Sequence, residues 1–186
     1  VSTAKNTWEQ VLPADDNYSW ALKNVAALTV DSNGNLWFGS KQGIGKNVNG
    51  KWQLFTGKEE VPYTNFTCAS PGLNGEVWFG TEIGAIRVEN DYFYYRNTRR
   101  WLPNNSVNDI AVSADGTAWI ATDNGISQII AKEMTYDEKA TYFTQQVEER
   151  HNRMGFICQS ALLEQFDITT SQLAISDNDG LYTAMY

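Results

Sequence analysis

Histidine is almost missing from this chain of 186 residues, which holds only His151. A Ser-His-Asp triad or a cluster of imidazole ligands would have to draw on that one residue. Cysteine is nearly as scarce. Cys68 and Cys158 stand far apart with no CxxC pair, which excludes a disulfide framework and a cysteine metal site. Two buried thiols are expected, with a bond between them left open. Basic residues are few and scattered, 14 against 22 acidic ones, for a net charge of −8. The longest basic run is Arg99-Arg100. Nucleic acid and anionic membrane surfaces need clustered Lys and Arg, so both are excluded as partners. No apolar run approaches the ~20 residues of a membrane-spanning helix, so membrane insertion is not expected. Phosphate-binding Gly-rich loops, HExxH and GxSxG are all missing. No leader is visible after Val1, but a processed leader would leave none, so location stays open at this point.

What the chain does have is aromatic residues, at 13%, and a 42% hydrophobic content that is enough for a core. Strands favour such residues. The aromatics also recur. "NLWFG" at 35–39 returns as "EVWFG" at 76–80 and "TAWIA" at 117–121, which puts Trp37, Trp78 and Trp119 in a 41-residue period. Gly34, Gly75 and Gly116 fall in the same register, as do Gly43, Gly84 and Gly125, and Pro62 with Pro103. Each unit predicts four short strands. A small-residue strand (25–30) is followed by a turn on "DSNGN", whose Asn-Gly tolerates positive φ. "LWFGS" forms the second strand, a third begins at Ile44, and "KWQLFT" forms the fourth after the "NG" turn. Four antiparallel strands per ~40–45 residues is the period of a β-propeller blade. The fold class expected is therefore mainly β, three four-stranded blades of 41 residues over 1–130, with a helical extension over 131–186. The tryptophans are expected in equivalent buried positions between blades, with sugar stacking as the alternative role.

"LTVDSNGNLWFGSKQGI" and "IAVSADGTAWIATDNGI" resemble two-component regulator propeller repeats, and "CASPGLNGEVWFGTEIGA" is a looser copy. The resemblance covers residues 24–130. It implies a bacterial sensor-type propeller, exported to the periplasm or beyond and often tied to glycan sensing. Related signatures occur in propeller lyases such as streptogramin lyases.

The ends are less regular. "TWEQVLP" at 7–13 resembles an outer blade strand and predicts one at Thr7–Leu12, while the third repeat lacks its own fourth strand. Three blades do not close a ring, so two readings follow. In one, a homodimer completes a six-blade ring, with Trp8 of one copy on the third blade of the other. In the other, the missing blades belong to a longer parent chain. After Ile130 a helix is expected, with a capping box from Thr135 and Glu138 and an apolar face of Tyr136, Ala140, Phe143, Val147 and Met154. "SDNDGLYTAMY" is similar to the entry into the α/α toroids of polysaccharide-processing proteins. That likeness implies an N-terminal fragment of a longer protein, and His151 and Arg153 facing a glycan site.

Candidate chemistry is thin. The turns after the tryptophan strands offer Lys41, Gln42, Glu82, Asp123 and Asn124 as hydrogen-bonding groups for an oligosaccharide or polysaccharide. His151, Asp177 and Asp179 are the catalytic candidates, each with a plain structural role as its rival: a surface histidine, and a helix N-cap for Asp179. "DNDG" at 177–180 has the start of a calcium loop through Asp177 and Asp179 but no acid further on, so no metal site or cofactor is assigned. The preferred function is a ligand-binding or sensing module. The alternative is the N-terminal part of a polysaccharide lyase or glycoside hydrolase, and no catalysis is expected from this chain on its own.

Overall fold

Each 41-residue unit folds as a meander whose turns fall where Asn and Gly permit positive φ. The computed structural model describes residues 8–97, 100–164 and 167–185. Blade 1 comprises β1 (Val25–Val30), β2 (Leu36–Ser40), β3 (Gly43–Val48) and β4 (Lys51–Phe55), hydrogen-bonded in that order. Blade 2 repeats it with β5 (Phe66–Pro71), β6 (Val77–Thr81), β7 (Gly84–Glu89) and β8 (Tyr92–Arg96). Blade 3 has three strands among the described residues: β9 (Val107–Val112), β10 (Ala118–Thr122) and β11 (Gly125–Ile129). The register repeats with the sequence. Trp37 lies opposite Lys46, Trp78 opposite Arg87 and Trp119 opposite Gln128. The inner-strand ladder shifts register near Ala26, Thr67 and Asn108, a bulge kept in all three blades.

Alternation along each strand sends successive residues to opposite faces, and this makes the core. Trp37 and Ile44 leave blade 1 to meet Phe66, Val77, Phe79, Ile86 and Val88 of blade 2. Trp78 and Ala85 leave blade 2 to meet Val107, Ile110, Ala118 and Ile120 of blade 3. Burying one indole removes about 150–250 Å² from water, an upper contribution of roughly 4–6 kcal/mol. The small residue two positions on is a packing requirement. A Cβ on Gly39 would sit 2.6 Å from the Phe66 ring.

The expectation for the tryptophans holds for two of three. Trp37 and Trp78 are 2% exposed, but Trp119 is 44% exposed. Its side of blade 3 is the one on which a following blade would lie. The opposite end of the array is covered: Trp20, with Tyr18 and Leu22, packs on Phe38 and Leu54. That cover replaces the strand expected at the N-terminus. Residues 8–13 form no strand, Thr7 lies outside the described residues, and Trp8 is 85% exposed. The chain is held by an Ala14–Ser19 bridge and by Asp15, whose Oδ2 accepts the Leu54 N–H at 2.7 Å.

One signal that the sequence reading missed fixes the turns before the tryptophan strands. The Asp31 carboxylate accepts from the backbone N–H groups of Asn33 and Asn35, the Asn35 amide and the Trp37 indole, at 2.8–3.0 Å. Burial raises the Asp31 pKa, and the bonds from Trp37, Asn35 and Asn33 outweigh it, so the carboxyl lies below its usual range. Glu76 takes the indole of Trp78 in blade 2, and Asp115 holds the turn in blade 3.

A second compact unit begins at Lys132. Helix α1 (Tyr136–Arg150) opens with the expected capping box, Thr135 with Glu138. It is followed by two hairpins, β12 (Asn152–Arg153) with β13 (Phe156–Ile157) and β14 (Gln159–Leu162) with β15 (Ser171–Ala174), and by α2 (Asp179–Met185). The expected apolar face of α1 is not buried: Tyr136 is 92% and Phe143 48% exposed. Met154 lies beyond the helix in a positive-φ turn, which Asn152 closes by accepting the Gly155 N–H. Among the described residues no helix is long and apolar enough to cross a membrane.

Candidate functional site

The turns after β2, β6 and β10 lie at one end of the blades, and a hydroxyl shapes each of them. Ser40, Thr81 and Thr122 donate to the carbonyls of Gly43, Gly84 and Gly125, and accept the N–H groups of Gln42, Ile83 and Asn124. These clamps leave Lys41, Glu82 and Asp123 in register at the turn tips. The connectors between blades pack beside them: the Glu82 N–H donates to the Asn65 carbonyl and the Asp123 N–H to that of Ser106.

Around Glu82 the side chains form a network. The Lys41 ammonium donates to Asn65 Oδ1. Asn65 Nδ2 donates to Glu82 Oε2 at 2.7 Å and to the Tyr63 hydroxyl at 2.9 Å, and that hydroxyl donates to Glu82 Oε2 at 3.1 Å. The bonds from Asn65 and then Tyr63, with a smaller contribution from Lys41, hold the Glu82 carboxyl below its usual pKa. Burial, then the Glu82 bond and charge, push the Tyr63 phenol up. In blade 3 Asp123 accepts from Asn108 Nδ2 at 3.0 Å. Lys41 and Glu82 are therefore joined through Asn65, whereas Gln42 and Asn124 lie outside this network, their backbone N–H groups bonded to Ser40 and Thr122. Tyr63, Asn65 and Asn108 are the contributors that sequence reading missed. This array of cation, carboxylate, amide and phenol offers hydrogen-bond donors and acceptors side by side at the turn tips.

Two of the three catalytic candidates, His151 and Asp179, have structural partners. His151 caps α1 through its N–H on the Val147 carbonyl, and its Nδ1 lies 3.0 Å from the Cys158 carbonyl. Asp179 opens α2, and its two oxygens accept from the Ser176 N–H and hydroxyl at 2.9 and 2.8 Å, bonds that keep its pKa low. No group of three or more His, Cys, Asp or Glu residues able to hold a metal occurs among the described residues, Asp177 and Asp179 included. Cys68 and Cys158 are free thiols, and burial pushes the Cys68 thiol up.

Comparison with known proteins agrees with this architecture. No curated protein matches the chain in sequence. Among solved structures, the extracellular domain of a protein assigned as a one component system in B. thetaiotaomicron aligns over 70% of this chain and 18% of its own, at 20% identity and TM-score 0.53. The extracellular domain of a protein assigned as a hybrid two component system in B. thetaiotaomicron aligns over 57% of this chain and 15% of its own, at 25% identity and TM-score 0.46. A streptogramin B lyase aligns over 55% of this chain and 35% of its own, at 24% identity and TM-score 0.45. The chain thus spans a minor part of each. The family profile described as two component regulator propeller matches residues 19–42 and 102–124, the β1–β2 hairpin of blade 1 and its counterpart in blade 3. Blades 1 and 3 thus carry stretches that match two-component regulator propeller repeats.

Proposed function

We propose that the bladed unit is a ligand-binding or sensing module of an exported bacterial protein, acting in the periplasm or outside the cell, and that its ligand is an oligosaccharide. The observation that carries this reading is the in-register set of polar turns, Lys41-Gln42, Glu82 and Asp123-Asn124, with the Lys41–Asn65–Tyr63–Glu82 network between two of them. Sugar hydroxyls donate and accept at once, so they can replace these mutual bonds one for one. Regulator propeller repeats support a sensing role. Rigid blades support the site by fixing the turns before a ligand arrives, which lowers the ordering cost of binding.

Calorimetric titration with a panel of neutral and acidic oligosaccharides tests the reading. At least one member is expected to bind saturably, and Glu82→Gln or Lys41→Ala is expected to weaken it at least tenfold without altering the unfolding transition. No binding across the panel, or binding that neither substitution affects, refutes the placement on this face.

A further inference from the structure

Blades 1 and 2 meet in a sealed wedge, whereas blades 2 and 3 leave theirs open. In the first wedge Phe55, at the end of β4, lies parallel to Trp37 at 6.4 Å and meets Phe93 of β8 edge-on at 5.4 Å. The 41-residue register places Arg96 where Phe55 stands, and Trp78 and Arg87 where Trp37 and Lys46 stand. The place of Phe93 falls in a strand that blade 3 does not have among the described residues. What remains is a cleft of about 200 Å³, lined by Glu76, Trp78, Arg87, Arg96, Trp101 and Ile129 among others.

The charges in this cleft are not balanced. Arg87 is paired with Glu76 at 2.7 Å and Glu89 at 3.0 Å. Arg96 has no carboxylate partner among the described residues: its Nη1 donates to the Tyr95 carbonyl at 3.2 Å, and its Nε is buried without a hydrogen-bond partner. Its guanidinium carbon lies 4.5 Å from the Trp101 ring centre, and that of Arg100 lies 5.2 Å from the same ring. Burial, then the charges of Arg87 and Arg100, hold the Arg96 pKa below its usual value. A buried donor left unpaired is destabilising, and a charged one more so. Replacing Phe55 by arginine at this register therefore carries a penalty that a bound anion would offset.

We propose that this wedge is a carboxylate-binding site, in which Arg96 takes the carboxylate of a small ligand such as a uronate while Trp101 packs on its apolar side. Guanidinium groups bind carboxylates in a planar, two-pronged geometry, and the low local dielectric strengthens the pair. The volume lies below the ~300–1,000 Å³ of pockets for drug-sized ligands, so the site fits a single sugar ring or a short organic acid. It uses none of the turn residues discussed above and stands or falls separately from them.

The test is titration with sodium glucuronate, and with glucose at matched ionic strength, followed by calorimetry and indole fluorescence. Glucuronate is expected to bind saturably and glucose not to. Arg96→Phe, which installs the residue found in the sealed wedge, and Arg96→Gln are each expected to weaken glucuronate binding at least tenfold. Arg96→Phe should also leave the unfolding temperature unchanged or raised, which a purely supporting role for Arg96 would not allow. Equal responses to glucuronate and glucose, or glucuronate binding unchanged in both variants, overturn the proposal.

Discussion

Replacing Asp31 by asparagine keeps shape and volume and changes only which atoms can accept. Oδ1 of Asp31 takes two backbone N–H groups, and Oδ2 takes the Asn35 amide and the Trp37 indole. An asparagine must put its NH₂ at one of these places. The backbone donors cannot turn away, so the NH₂ goes to the Oδ2 side. There Asn35 can flip its amide and accept, but the indole N–H has no second choice. Trp37 is 2% exposed, so its donor is left buried and facing another donor. Losing a bond to a charged group is worth about 1.5–3 kcal/mol, and the unpaired indole makes the upper half of that range the better figure. For a unit of this size about 2.5 kcal/mol corresponds to a fall in Tm of roughly 9 °C. Urea unfolding followed by tryptophan fluorescence measures it, with Asp115→Asn as the control. That carboxylate is exposed and accepts from Ser113 and Thr117, so its loss should cost clearly less than that of Asp31. The pH dependence has a definite sign. The folded pKa of Asp31 lies below the 3.8 of the free group, so its contribution is present above pH 3.8 and lost as pH falls through the folded value. The gap between wild type and Asp31→Asn should therefore close below pH 3.8. If Asp31→Asn costs no more than Asp115→Asn, the anchoring of Trp37 by the turn carboxylate is wrong.

Period was the most readable property of this sequence, because a blade is specified by local features that recur: Asn-Gly turns, alternating strands, and a small residue where a neighbouring side chain packs close. The strands of blades 1 and 2 follow directly from it. Exposure of Trp119 could not be read from period, since burial of a blade face depends on what lies beyond it and the motif is the same in all three copies. The strand expected at 7–12 failed for a related reason. Its pattern matches an outer strand, but a strand needs a partner edge, and the edge of β4 is met by Asp15 and the Trp20 segment instead. Helix α1 was legible at its start, where capping is a matter of four neighbouring residues, and less so in its apolar face, which is partly exposed. The turn tips of the candidate site were legible because hairpin geometry places them. Their partners Tyr63 and Asn65 were not, because they lie in a connector whose path the repeat does not dictate. Arg96 stood in plain view beside Phe55 in the register, but its meaning depends on an open wedge that only the structure displays.

Incubating the chain with uronic-acid polysaccharides is expected to give no ultraviolet absorbance from unsaturated sugars; turnover that disappears in His151→Ala would favour the enzyme reading. Thr135→Ala should cost α1 about 1 kcal/mol through loss of its capping box, read as lower helical circular dichroism on warming. Gly39→Ala should destabilise by about 1–3 kcal/mol, because its Cβ meets the Phe66 ring, whereas blade 3 already carries Ala121 at that place. The two ends of the array should also respond differently to loss of a tryptophan. Trp37→Ala removes an indole enclosed by two blades and is expected to cost about 3–5 kcal/mol. Trp119 is 44% exposed, so Trp119→Ala should cost less than half as much. Chemical unfolding of the two variants side by side decides. Equal costs would mean that the Trp119 face is covered in solution by something that packs as closely as a blade.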